Sequence, residues 1–279
     1  MGHTEIIAND PTNPSTKSRT ITYIIFFLLL ISRFSINTFT FIDGTFSSAR
    51  SIPGWLSWLE GVMPCVNTFY VFGVFLLIVI VILLNQEDLQ KLNMDEFFIF
   101  IFICSGLATF IGYMFGLGCL AGIPAILFSI YALSKNNMKF GNTDPNSLRI
   151  SLIAVGIFAG CFLIISGSLN ILKIDQSIHL FFIDTLPDTV TEEVIYRGLL
   201  WMFLKDRGWS ESRIIFFQAF LFWISHLNFL FNNPFNFWVF IPAVGLLLGY
   251  IVLRSKSITP STITHLFINL LYGLILLSR

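Results

Sequence analysis

The residues able to do chemistry fall between positions 188 and 269. The stretch Asp-Thr-Val-Thr-Glu-Glu-Val-Ile-Tyr-Arg at 188–197 sets Glu192, Glu193 and Arg197 inside an apolar run. His226 closes Phe-Trp-Ile-Ser-His in the next such run, and His265-Leu-Phe-Ile-Asn269 lies in the last. Ionisable side chains are expensive inside a bilayer, so each needs a reason. Glu193 and Arg197 are four apart with the acid first, the favourable order for a helical ion pair. They are read as a structural brace. Glu192 lies about 100° round the helix from Glu193 and lacks that partner, so it is the better candidate for chemistry. His265 and Asn269 share one helical face. A carboxylate and two imidazoles meeting in a low-dielectric interior would form a general acid–base set. A lone histidine is as often a packing residue, but these four side chains on three apolar helices are hard to explain as packing.

The elements that must position them are membrane helices. The chain has 279 residues, 55% hydrophobic and 11% charged, with a mean hydropathy of +0.80. Soluble domains carry about a quarter charged residues. The 16 basic and 16 acidic residues cancel, so no global field points to a nucleic-acid partner. The fold class is all-α: a polytopic helical membrane protein with an intramembrane polar site. Apolar runs fall at 20–42, 65–84, 149–172, 187–204, 213–231, 235–254 and 258–278. The stretch 96–134 is twice one span and is broken by Gly116, Gly118, Gly122 and Pro124, which predicts two helices with a turn near 116–118. That makes nine spans, or eight if 20–42, which carries Arg33, or part of 96–134 does not cross. Residues 46–62, with Trp55 and Trp58, read as a short interfacial helix.

Residues 1–18 are a polar, disordered tail; 19–172 hold the N-terminal helices and 173–279 the chemistry. Lys17, Arg19, Lys91, Lys135, Lys139, Arg149, Lys205, Arg207, Arg213, Arg254 and Lys256 fall on one side of the nine-span arrangement, and Arg50, Lys173 and Arg279 on the other. The bias places the N-terminus in the cytoplasm and the chain in the cell membrane. Cys65, Cys104, Cys119 and Cys161 have no metal-ligand spacing and are expected to be buried small hydrophobes. The pairs Gly112/Gly116, Gly156/Gly160 and Gly245/Gly249 predict close helix packing inside the molecule; an oligomer is not indicated.

The set E-E-x-x-x-R, F-x-x-x-H and H-x-x-x-N, in that order, resembles the type 2 CAAX prenyl proteases and their wider CPBP, or Abi, intramembrane protease group. Gly-Leu-Leu-Leu-Gly-Tyr at 245–250, with Arg254, Ser257, Pro260 and Ser261, adds to the resemblance, which covers about 185–272. It implies an intramembrane endopeptidase acting on a membrane-associated peptide or protein. Glu192 would activate a water, His226 would share that water or protonate the leaving amine, and His265 with Asn269 would hold the oxyanion. Glu192, His226 and His265 are also a His₂Glu set of the type that binds catalytic zinc; a zinc ion or none fits the resemblance. A non-proteolytic interaction protein, in bacteriocin immunity or envelope regulation, is the alternative. A proton-coupled transporter is disfavoured by the absence of internal repeats.

One geometric conflict stands. If each run begins at the bilayer boundary, Glu192 lies roughly 7 Å in from one side and His265 roughly 10 Å in from the other. With a core of about 30 Å they would miss each other. A helix extending upstream of Pro187, or broken there, would bring them together, as would a tilted or thinned arrangement; the longer or broken helix is preferred.

Overall fold

The computed structural model describes residues 14–43, 58–114, 119–135, 145–166 and 185–278. These are all-helical. Helix α1 is Pro14–Asp43, α2 Trp58–Leu84, α3 Glu96–Met114, α4 Gly122–Lys135 and α5 Pro145–Ser166. Helix α6 runs without a break through Leu186–Glu192, Glu193–Leu199 and Leu200–Lys205. Helix α7 is Glu211–Ile224, α8 is Asn236–Ser255, and α9 is Thr259–Ser278.

The 96–134 stretch forms two helices as its glycines require, with a 3₁₀ turn at Cys119–Ala121; 115–118 lie outside the described residues. At 14 residues, α4 is too short to cross a bilayer alone. Two described helices, Glu96–Met114 and Asn236–Ser255, are long and apolar enough to cross. A third qualifies if Thr68–Leu84 and Gln86–Leu92, bent by 110°, count as one. The expected interfacial helix at 46–62 is not a separate element where it is described: Trp58 opens α2. Cys104 is a correction, because it is exposed on α3. The outer surface is apolar in many places, with Ile31, Leu127, Phe216 and Trp238 among the exposed side chains. Apolar area on this scale marks a surface made for lipid.

Helix α6 is the centre of the bundle. It touches α1, α2, α3, α7, α9 and the 3₁₀ turn Gln86–Leu92. From Val194 to Leu204 most of its apolar side chains are buried, including Ile195, Tyr196 and Leu199 at 1% or less. Gly198 permits one of these approaches: a Cβ there would stand 3.2 Å from the Leu92 carbonyl. The 86–92 turn ends at Asn93, in the left-handed region (φ 51°) that Asn tolerates. Asn93 Nδ2 donates to the Arg197 carbonyl at 2.9 Å, and the Asn93 carbonyl accepts Ile258 N–H at 2.6 Å. One turn therefore ties α6 to the start of α9.

The pair Gly245/Gly249 does what its spacing predicts. Both glycines of α8 pack on α7, where added Cβ atoms would crowd Ala219 and Phe222, and Ile215 and Gln218. Buried Gln218 Nε2 donates to the Gly245 carbonyl at 2.9 Å. Gly156 is different, with open space around it.

Candidate active site

Helix α6 widens at the acidic motif. Residues Glu193–Leu199 take π-helical hydrogen bonding, a feature often found at functional sites. Glu193 and Arg197 are both fully buried and pair at 3.2 Å, the expected brace. Arg197 also lies over the Phe222 ring, 4.5 Å from its centroid. The brace has a further role. Glu193 Oε1 is 2.8 Å from His265 Nδ1, and its Oε2 accepts a hydrogen bond from Ser261 Oγ. Glu193 therefore sets the second histidine as well as Arg197.

Glu192 is buried beside it and lies between the two histidines. His226 Nε2 is 3.7 Å from Oε1, and His265 Nε2 is 3.6 Å from Oε2. The expected conflict of depth does not arise. The side chains meet within the protein whatever the start of each run. The first turn of α9 is sunk in the protein: Thr259 is 1% exposed, and Ser261 and Thr262 are fully buried. Their hydroxyls are satisfied locally, Thr259 and Ser257 by Asp95, and Thr262 by the Ile258 carbonyl. On the other side α7 ends at Ile224, so His226 stands in a turn after the helix. An extension upstream of Pro187 concerns 167–184, outside the described residues; within them α6 begins at Leu186.

Hydrogen bonding assigns the imidazole tautomers. His226 Nδ1 lies 2.7 Å from the Phe222 carbonyl, which only accepts, so this nitrogen carries the proton. The Phe222 ring packs on that of His226, 4.6 Å between centroids, which gives the F-x-x-x-H spacing its physical meaning. His265 Nδ1 faces a carboxylate and is likewise the donor. In their neutral forms both rings therefore turn a bare Nε2 toward Glu192. Three acceptors converge, an arrangement that calls for a proton-bearing group among them.

Asn269 joins from one turn further along α9. Its Nδ2 donates to buried Thr189 Oγ1 at 2.9 Å, one turn before Glu192 on α6. The six residues singled out from the sequence thus lie in one connected cluster. Two participants were missed. Arg33 of α1 donates to Glu192 Oε1 and, at 2.9 Å, to Asp188 Oδ1. Glu192 is therefore not the unpartnered acid expected. The available signal was Arg33 itself, a charge in an apolar run. Asp95 was missed too, and nothing in the sequence marks it.

The zinc expectation can be tested on this donor set. Arg33 places a fixed positive charge on Glu192 Oε1, where a bound dication would be repelled. Among the described residues no group of three His, Cys, Asp or Glu side chains is arranged to hold a metal. Glu192, His226 and His265 do not fit a metal as they stand.

Fold and site together define a helical membrane protein with a buried carboxylate–imidazole centre. Residues 175–271, about the last third of the chain, match the family model of Rce1-like type II CAAX prenyl endopeptidases. This segment is similar to that family of proteases. Comparison with curated proteins and with solved structures gives no match.

Proposed function

We propose that the protein is an intramembrane endopeptidase that cleaves a membrane-associated peptide or protein with a water activated by Glu192. The observation that carries this reading is the convergence of His226 Nε2 and His265 Nε2 on the two Glu192 oxygens, at 3.7 and 3.6 Å. A water hydrogen-bonded to the carboxylate at about 2.8 Å would have a bare imidazole nitrogen to accept its second proton. Glu192 takes one water proton, and the hydroxide attacks the scissile carbonyl carbon. When its ring carries both protons His265 donates from Nε2 to the developing oxyanion, and Asn269 gives its second amide hydrogen. The proton then passes by way of Glu192 or His226 to the leaving nitrogen as the C–N bond breaks. The products are a carboxylate and an amine. Donors fixed before the reaction are worth most in a site that excludes water.

The same reading takes the chain as a cell-membrane protein of eight or nine spans with a cytoplasmic N-terminus. The apolar runs and the charge bias support it.

The test uses purified full-length protein and a fluorescence-quenched, farnesylated peptide ending in a CAAX sequence. Glu192→Gln and His226→Ala should each reduce cleavage by about 10²–10⁴-fold while the protein remains folded. Cleavage that survives both substitutions sinks the reading of Glu192 and His226 as its source, and a wild type that cleaves nothing leaves a non-proteolytic interaction role.

A further inference from the structure

Arg33 lies on α1, well before residues 175–271, and no motif of the matched segment calls for it. Its side chain is 7% exposed, yet a guanidinium keeps its charge. It spans Asp188 and Glu192, four apart on one face of α6. The other end of α1 is tied to the same helix: Arg19 Nη2 lies 3.0 Å from Asp206 Oδ1, and Tyr23 donates to Asp206 Oδ2. Arg33 is 14 residues beyond Arg19 (33 − 19), and Asp206 is 14 beyond Glu192 (206 − 192). The intervals match, about 21 Å each, so the helices run antiparallel and are pinned in register by a charge pair at each end. Between the pins Phe203 packs against Tyr23 and Phe27, each at 5.2 Å between centroids.

The inner pin acts on the site. The terminal torsion of a Glu side chain is broad, and a guanidinium on Oε1 removes that freedom. With Oε1 held, Oε2 is left toward His265. Arg33 also completes the charge balance: buried Glu192 and Glu193 face two buried guanidinium groups, Arg33 and Arg197. Without it Glu192 would be a buried charge lacking a fixed counter-ion.

We propose that Arg33 is a positioning residue for Glu192, so that the catalytic unit extends beyond the matched segment to include α1. The kinetic half of this inference rests on the peptidase reading; the pairing half does not. The experiment uses purified full-length wild type, Arg33→Gln, Arg33→Lys, Glu192→Gln and the Arg33→Gln/Glu192→Gln double variant. Two readouts are taken: the thermal midpoint, and kcat and KM on the quenched farnesylated peptide. Arg33→Gln should lower kcat by about 100-fold, the scale of a small misplacement, with KM little changed. Arg33→Lys, which keeps the charge but not the fork, should recover part of the loss. The double variant should melt above the sum of the two single shifts, because neither charge is left alone. A wild-type kcat in Arg33→Gln, or additive midpoints, overturns the inference. Should the wild type cleave no peptide, the peptidase reading is what fails, and the midpoints still decide the pairing: additive shifts overturn it and non-additive shifts support it.

Discussion

Glu193 Oε1 and His265 Nδ1 stand 2.8 Å apart across 72 residues of chain. The same carboxylate holds Arg197 at 3.2 Å and Ser261 through its other oxygen. One side chain therefore joins α6 to α9, neutralises a buried guanidinium and fixes an imidazole tautomer.

Replacing Glu193 with Gln keeps an acceptor for His265 but strands the Arg197 charge. Breaking one side of a buried pair costs about 3–5 kcal/mol. Glu193→Gln should lower the thermal midpoint of the purified protein markedly, and Glu193→Gln/Arg197→Met should regain much of that loss. A single variant as stable as wild type would show that the pair is not the brace described here.

Asn269 should behave differently. It is half-buried and gives one hydrogen bond to Thr189. Asn269→Ala is expected to reduce kcat by about 10²–10³-fold, as for loss of an oxyanion donor, and to leave the midpoint nearly unchanged. Full peptide cleavage by this variant would remove Asn269 from the chemistry.

Two glycine substitutions should have opposite signs. At Gly198 a methyl group meets the Leu92 carbonyl at 3.2 Å, and backbone yields poorly. Gly198→Ala should destabilise by about 1–3 kcal/mol, the usual cost of overpacking. At Gly156 nothing lies within 4 Å, so Gly156→Ala should stabilise α5 by about 0.5–1 kcal/mol. Thermal midpoints of the two variants settle both, and matching signs would refute the contrast.

The pH dependence at the start of α7 follows from Glu211. A hydrogen bond from Lys256, then one from Lys205, holds its carboxyl below the usual 4.5. A depressed folded value means stability that is present above about pH 4.5 and lost as pH falls through the lower folded value. Glu211 is 36% exposed, so solvent screening limits the effect to less than about 1 kcal/mol. The midpoint difference between wild type and Glu211→Gln should close on acidification below pH 4.5; a difference that widens there would contradict the assignment.

The centre of the site was legible because charge stands out against hydrocarbon. Glu192, Glu193, Arg197, His226, His265 and Asn269 each broke an apolar pattern, and helical spacing alone paired Glu193 with Arg197. Arg33 broke the pattern as well, but its acid lies 159 residues away, and only the register of α1 on α6 reveals it. The end of α7 at Ile224 was hidden for another reason: Leu227, Phe229, Leu230 and Phe231 carry the apolar run on past Ser225 and His226, so hydropathy does not stop where the helix does. The π-helical widening has no compositional signature. Asp95 is a polar residue in a polar turn, and its work on Ser257 and Thr259 depends wholly on the chain reversal that brings α9 back to it.

The burial of Glu193–Leu199 on every side has a mechanical consequence. A helix with one free face can roll; this segment has none, with α1, α7, α9 and the 86–92 turn packed around it. Interiors this dense shift between discrete packings and do not deform smoothly. Among the described residues the two carboxylates therefore ride on a segment with no free face. On the peptidase reading, any opening and closing would fall to the elements around it, with α6 as their fixed reference.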